Sequence, residues 1–257
     1  MHDILHCVNI IVASTPRKSK TFEEGFWRCR STQNTQIMKN TIVSMFFFLL
    51  ASFGFAQKKL AFNLSDALQK NKINVVYRQI QVLEDGDKKG VRLSKEREEG
   101  LAWLKGVKFS EGTIEFDVKG QDVFQQSFVG VAFHAQNDST YDAVYFRPFN
   151  FYAKDSVRYI HAVQYVAHPQ YPWKKLRDER NAQFEKAIPN APNPNEWFHA
   201  KVVVKGKSVQ VFVNDRKEAV LKVEKLSVFS KGQIGLFVGD GSGGDFANLV
   251  ISKKIVP

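Results

Sequence analysis

Residues 197–223 read WFHAKVVVKGKSVQVFVNDRKEAVLKV, and they decide the fold. In VQVFV (209–213) valine returns at every second position, the period of a strand with one buried face and not of a helix. Lys205-Gly206-Lys207 supplies the turn into that segment from the strand that begins at Trp197 and Phe198, and Asn214-Asp215 closes it before AVLKV. The stretch therefore reads as a three-stranded meander.

The same period extends outward. TIEFDV (113–118) points Ile114, Phe116 and Val118 to one side and Glu115 and Asp117 to the other. Further strands are expected at 73–83, 100–104, 127–134, 143–147, 159–166, 199–204, 219–223, 233–239 and 246–252. Helical spacing is confined to 64–70 and 174–184. Many short strands with turn residues between them predict an all-β sandwich or barrel. The three prolines of IPNAPNPN (188–195) stiffen one connection and mark no domain boundary.

The N-terminus has a different character. From Met38 the chain reads MKNTIVSMFFFLLASFGFAQ, with a lysine, an apolar run and small residues before Gln57, the layout of a secretory signal peptide. Its apolar run is shorter than the roughly 20 residues that a permanent membrane helix needs. Cleavage after Ala56 is expected, with export to the periplasm or the exterior and no membrane span afterwards. Residues 1–37 then precede a signal peptide, which points to a true start at Met38. The segment 57–257 would be a single domain.

The whole chain of 257 residues carries a net charge of +11, with its two cysteines at Cys7 and Cys29. The mature segment has 31 basic and 23 acidic residues, or +8, and no cysteine. It must be held by its core, with neither disulfide nor thiol nucleophile. The basic residues are scattered and no nucleic-acid motif is present, so the charge reads as a solvated surface and no nucleic-acid partner is expected. No G-x-S-x-G elbow, phosphate loop or dinucleotide fingerprint occurs, which removes the commonest hydrolase, kinase and dehydrogenase readings.

Aromatic residues crowd 124–173, with 13 in 50 positions, twice the average of the chain. His134, Asp142, Arg147, Asn150, His161, Gln164 and His168 interleave with them. Rings that stack on sugar C–H faces beside planar groups that bond hydroxyls make a carbohydrate cleft. The alternative is a second hydrophobic cluster with internally satisfied polar groups. Glu115 and Asp117 share a strand face and could pair as catalytic carboxylates, although such a pair is ordinary on a solvent-facing strand. The histidines lack a diagnostic metal-ligand spacing, so no metal site is expected among them. Asp240 and Asp245 of GDGSGGDFAN could offer oxygens to a structural calcium, or belong to a glycine-rich turn; no other cofactor is expected.

Taken together, GTIEFDVKG (112–120), SFVGVAFH (127–134), YDAVYFRPFNF (141–151), HAVQY (161–165), the 197–215 stretch and GQIGLFVGDGSGGDFANLVI (232–251) resemble the concanavalin-A-like lectin/glucanase superfamily. Within it the chain is most similar to 3-keto-disaccharide hydrolase domain proteins, also called family 16 glycoside hydrolase-like, and more distantly to laminin-G-like domains. The resemblance implies a two-sheet antiparallel jelly-roll sandwich with a concave sheet that takes carbohydrate. Family 16 glucanases place their acids in E-x-D-x-x-E; Glu115 and Asp117 match the first two positions, but the third falls on Gly120, so that role is not carried over.

The expected binding set is Tyr145, Arg147, Asn150, His161, Gln164 and Trp173. Tyr145 and Arg147 share a strand face, and Trp173, in a loop after two prolines, suits a stacking platform. His161 and Gln164, three apart, would fall on opposite faces of a regular strand unless a bulge intervenes. If the protein is an enzyme, a glycoside hydrolase, His134 or His161 is the candidate base and Asp142 or Glu185 the candidate acid. Elimination from a 3-keto sugar, suggested by the family name, is the other enzymatic route. The rival class is a non-catalytic cell-surface interaction module of laminin-G-like type. N-terminal sequencing of the exported product should begin at Gln57; a start at Met1 or His2 would overturn the signal-peptide reading.

Overall fold

The structure is a computed structural model that describes residues 57–254, all within one compact unit. The expected start at Met38, the signal segment 38–56 and both cysteines lie outside the described residues.

Among the described residues, fifteen strands form two antiparallel sheets packed face to face, the expected jelly-roll sandwich. The first sheet runs β13 (Leu221–Glu224), β12 (Ser208–Val213), β11 (Phe198–Lys205), β6 (Gly112–Lys119), β15 (Ser242–Lys254), β4 (Lys88–Glu96) and β3 (Ile80–Asp85), with β1 (Gln57–Phe62) pairing the C-terminal half of β15. The second runs β10 (Glu185–Lys186), β9 (Val163–His168), β8 (Thr140–Phe146), β7 (Val129–Asn137), β14 (Gly232–Val238), β5 (Gly100–Phe109) and β2 (Ile73–Val76). Three short helices, α1 (Leu64–Gln69), α2 (Ser156–Tyr159) and α3 (Trp173–Glu179), sit outside the sheets.

The meander forms as its alternation dictates. Val204 pairs with Val209, and Val209 with Val223, so every second side chain enters the core. Val202, Val204, Val209 and Val211 are fully buried there, with Ile114, Phe116 and Val118 of β6. Phe146 from the second sheet meets Phe198 from the first at 5.1 Å between ring centroids, edge to face. Each fully buried side chain of this kind contributes about 1.5–3 kcal/mol.

The expected strand at 73–83 is instead two strands in different sheets, and Arg78 is the reason. Tyr77 turns the chain with φ +51°, and the buried Arg78 guanidinium spends all five N–H donors on backbone carbonyls. Its Nε donates to Ser242 O at 3.2 Å, Nη1 to Tyr77 and Arg97 at 2.5 and 3.0 Å, and Nη2 to Glu98 and Gly239 at 2.6 and 2.8 Å. A Cβ at Gly100 would lie 2.3 Å from Arg78 Cγ, so the guanidinium needs the bare glycine beneath it.

Three strands escaped the sequence reading, β1, β4 and β10. The expected helix at 174–184 shortens to α3, and the expected strand at 159–166 begins only at Val163, after α2. Nor do Glu115 and Asp117 form a catalytic pair. Asp117 is buried and accepts from His199 Nδ1 at 2.8 Å, Asn248 at 2.7 Å and Lys88 at 3.0 Å. Burial pushes its carboxyl up, but these hydrogen bonds outweigh it and hold it at about 2.

Arg78→Lys retains the charge but offers three donors for five carbonyls. A stability loss of about 3 kcal/mol is expected by urea denaturation, from two or more buried carbonyls left without a donor; a loss under about 0.5 kcal/mol would remove Arg78 from this role.

Candidate functional site

One ladder row of the second sheet builds the site. Phe237 of β14 pairs with Gly130 of β7, Gly130 with Tyr145 of β8, Tyr145 with Gln164 of β9, and Gln164 with Glu185 of β10. Cross-strand partners share a face, so the row lays a ring, a gap, a phenol, an amide and a carboxylate side by side. Gly130 is the gap: a Cβ there would lie 2.1 Å from Val144 O and 2.6 Å from Tyr145 Cα. Over it the rings of Phe237 and Tyr145 come within 5.3 Å.

Arg147, just beyond β8, binds the row together. It is buried, and its Nη2 donates to Tyr145 Oη at 3.0 Å and to Gln164 Oε1, while Nη1 donates to His161 O at 3.0 Å and Glu185 Oε2 at 3.4 Å. Tyr145 in turn donates to Gln164 Oε1 at 3.0 Å. Burial pushes the Tyr145 phenol up to about 12 and lowers Arg147. Glu185, equally buried, receives both prongs of Arg177 from α3 at 3.0 and 2.8 Å. Both its oxygens are thus committed as acceptors, which corrects its expected role as an acid.

Above this floor opens a cavity of about 510 Å3. Tyr145, Arg147, Asn150, His161 and Trp173 line it, so five of the six expected binding residues share one cleft. Gln164 lies beneath, fully buried. The three-residue spacing of His161 and Gln164 needs no bulge, because His161 precedes β9 and reaches the cluster from the chain after α2. Asn150 donates to His161 O at 3.2 Å and accepts from Arg158 Nε at 3.3 Å. Trp173 opens α3 at the rim, 44% exposed, with the Arg177 guanidinium 5.0 Å from its ring centroid; Arg158 stacks likewise on Phe124 at 4.5 Å.

His161 is the histidine of the cleft wall. Its Nε2 is buried without a hydrogen bond, 3.2 Å from Glu185 Oε1 but outside bonding geometry. Burial lowers its pKa from 6.5, and Arg177 and Arg147 add to that against the opposing pull of Glu185. The imidazole is therefore neutral at pH 7.

His134 and Asp142, expected as candidate base and acid, do not line the cavity. They are satisfied core groups: His134 bonds Asp142 at 3.2 Å and Ser110 O at 2.7 Å, and Asp142 also accepts from Tyr165 and Ser227 at 2.6 and 2.7 Å. His168 sits 3.5 Å from Glu99, so the three histidines serve different partners. Among the described residues no group of three or more His, Cys, Asp or Glu side chains is placed to hold a metal ion. Asp240 accepts from the Glu98 N–H at 2.7 Å, and Asp245 takes both prongs of Arg92. The sequence reading missed Glu99, Phe124, Phe128, Arg158, Arg177 and Phe237 in the lining. Phe124 and Phe128 lay within the aromatic-rich stretch; Arg177 and Glu99, spaced like ordinary surface charges, carried no signal.

The fold is thus a two-sheet antiparallel sandwich with a cleft on its second sheet. The chain belongs to the 3-keto-alpha-glucoside-1,2-lyase-like domain family, whose pattern matches residues 62–252. Among solved structures it resembles the carbohydrate-binding module CBM66 from Bacillus subtilis, at 17% identity over 70% of this chain and 95% of that one, TM-score 0.50. A Bacillus subtilis protein of unknown function with a galectin-like fold matches at 11% identity over 78% and 100%, TM-score 0.52. A structure described as a native glycosidic hydrolase matches at 12% over 79% and 99%, TM-score 0.51. At these identities the likeness concerns the fold. No curated protein matches the chain. Among the described residues no helix is long and apolar enough to cross a membrane.

Glu185→Gln should cost about 3–5 kcal/mol, since Arg147 is left buried without its counter-charge. Thermal denaturation with a second substitution, Arg147→Met, checks the cause: the double variant should recover part of the loss.

Proposed function

We propose that the chain binds a glycoside in the cleft of the second sheet and cleaves it by elimination across C1 and C2 of a sugar oxidised at C3. The observation that carries this reading is His161, a neutral imidazole in the cleft wall beside a floor of guanidinium groups. A C3 ketone acidifies the C2–H. His161 takes that proton, the C–H electrons form the C1=C2 bond, and the C1–O pair leaves with the aglycone, which gains a proton. Glu185, 3.2 Å from Nε2, stabilises the imidazolium as it forms. Among the described residues Arg158 and Arg177 make their hydrogen bonds through Nε and Nη2, which leaves Nη1 of each able to face the enolate oxygen. Arg147 has spent both amino groups on the floor and acts as a positioning residue.

Elimination fits better than a two-carboxylate mechanism, because Glu185 is locked by two arginines, Asp117 lies on the other sheet, and the two other carboxylates of the lining, Glu99 and Asp240, already accept from Tyr141 Oη and the Glu98 N–H. The family description and the fold support a carbohydrate ligand. At the rim the guanidinium groups of Arg158 and Arg177 lie against Phe124 and Trp173, so polar groups stand beside the rings, the pairing that a sugar uses. With cleavage after Ala56, the reaction would take place outside the cytoplasm.

Methyl 3-keto-α-glucoside should release methanol and lose its C2 hydrogen to solvent, while the unoxidised methyl glucoside stays intact. His161→Gln should lower kcat/KM about 10²–10⁴-fold. Because the folded pKa of His161 lies under 6.5, activity should be flat above that pH and fall below it, and the variant should lack that acid limb. Trp173→Ala should weaken sugar retention with an unchanged melting temperature. Retention of the sugar without turnover would instead establish a non-catalytic sugar-binding module, and failure to retain it would sink the carbohydrate reading in favour of the laminin-G-like interaction module.

A further inference from the structure

Behind the loop that carries Phe124 lies a second concavity, of about 550 Å3. The loop divides between the two: Phe124, Gln125 and Phe128 line the cleft, while Gln121, Val123 and Gln126 line the groove behind it. The chemistry changes across this wall. The groove has no aromatic ring in its lining; it has Arg92, Lys95 and Lys119 with the amides of Gln121, Gln126 and Asn195.

Arg92 is set in place in advance. Its Nε and Nη2 donate to the two oxygens of buried Asp245 at 2.6 and 2.7 Å, and among the described residues its Nη1 makes no hydrogen bond. A guanidinium clamped by a buried carboxylate presents a fixed donor edge and loses little freedom when an anion arrives. Asp245 is the only carboxylate of the lining, and this fork consumes it. Lys119 donates to Asp85 at 2.7 Å and Lys95 to Gln126 Oε1, which leaves further N–H donors on each ammonium. The wall is pinned as well: the Gln121 N–H donates to Ser127 Oγ at 2.9 Å and the Asp122 N–H to Asn195 Oδ1 at 2.8 Å.

We infer that this groove is a second binding site, for an acidic sugar. Arg92 Nη1 and the two lysines meet a carboxylate or sulfate, the amides meet hydroxyls, and the volume lies within the ~300–1,000 Å3 of small-ligand sites. Part of the positive charge that the sequence presents as scattered is thereby gathered in one concave place.

Isothermal titration with D-glucuronate, D-glucose and sodium sulfate at low ionic strength tests the site. Glucuronate should bind at least about tenfold more tightly than glucose or sulfate, and weaken as salt is added. Lys95→Gln with Lys119→Gln should reduce glucuronate affinity about tenfold or more at an unchanged melting temperature. Trp173→Ala, in the cleft, should leave it intact. If the double variant does not fold, Lys95→Gln alone, at an exposed side chain, should still weaken binding about threefold. Equal binding of glucose, sulfate binding as tightly as glucuronate, or affinity unmoved by the lysine substitutions would overturn the proposal. None of these outcomes depends on turnover in the cleft.

Discussion

The guanidinium of Arg78 is the joint on which the two sheets hinge. Five carbonyls from three separate stretches of chain converge on it: its own turn at Tyr77, the 97–98 segment, and the turn that holds Gly239 and Ser242. Without a donor, each would be a buried acceptor costing about 1–3 kcal/mol. With it, the crossing from β2 to β3, the entry to β5 and the turn from β14 to β15 are fixed to one point. That point also serves the cleft, because Glu99 and Asp240, which line one end of it, follow directly on carbonyls that Arg78 holds.

A second buried guanidinium repeats the principle at the other end. Arg147 organises Tyr145, Gln164, His161 and Glu185 into a floor whose polar atoms are nearly all spent on each other. The unspent groups, His161 Nε2 and Gln164 Nε2, therefore stand out as places where a ligand or a small shift of the floor has something left to satisfy. A packed polar network of this kind presents few free groups, but it holds those few rigidly.

The parts that sequence made legible are those governed by local periodicity. The 197–223 meander, β6 and the aromatic face of β8 follow from alternation, and Tyr145, Arg147 and Asn150 were found because they sit on or beside that face, whereas Trp173 was found as the ring after two prolines and opens a helix where a loop was expected. What alternation cannot report is where one strand leaves its sheet. Tyr77 and Arg78 are acceptable strand residues, so the run 73–83 reads straight through a corner that only the four distant carbonyls on Arg78 reveal. β4 was hidden because charged residues dominate KKGVRLSKE, although Val91 and Leu93 are buried. His134 looked functional because an imidazole near aromatics reads alike in a cleft and in a core, and only its pairing with Asp142 and Ser110 separates the two.

The shortest strand among the described residues, β10, carries Glu185, the carboxylate that Arg147 and Arg177 grip. Two residues of backbone pairing at a sheet edge resist fraying weakly, so ion pairs more than the ladder hold this margin closed. The cleft therefore has one wall built by the long ladders of the sandwich and another whose place in the fold depends on the ion pairs of Glu185. Amide protection should accordingly be lower along β10 than along the central strands β7 and β14.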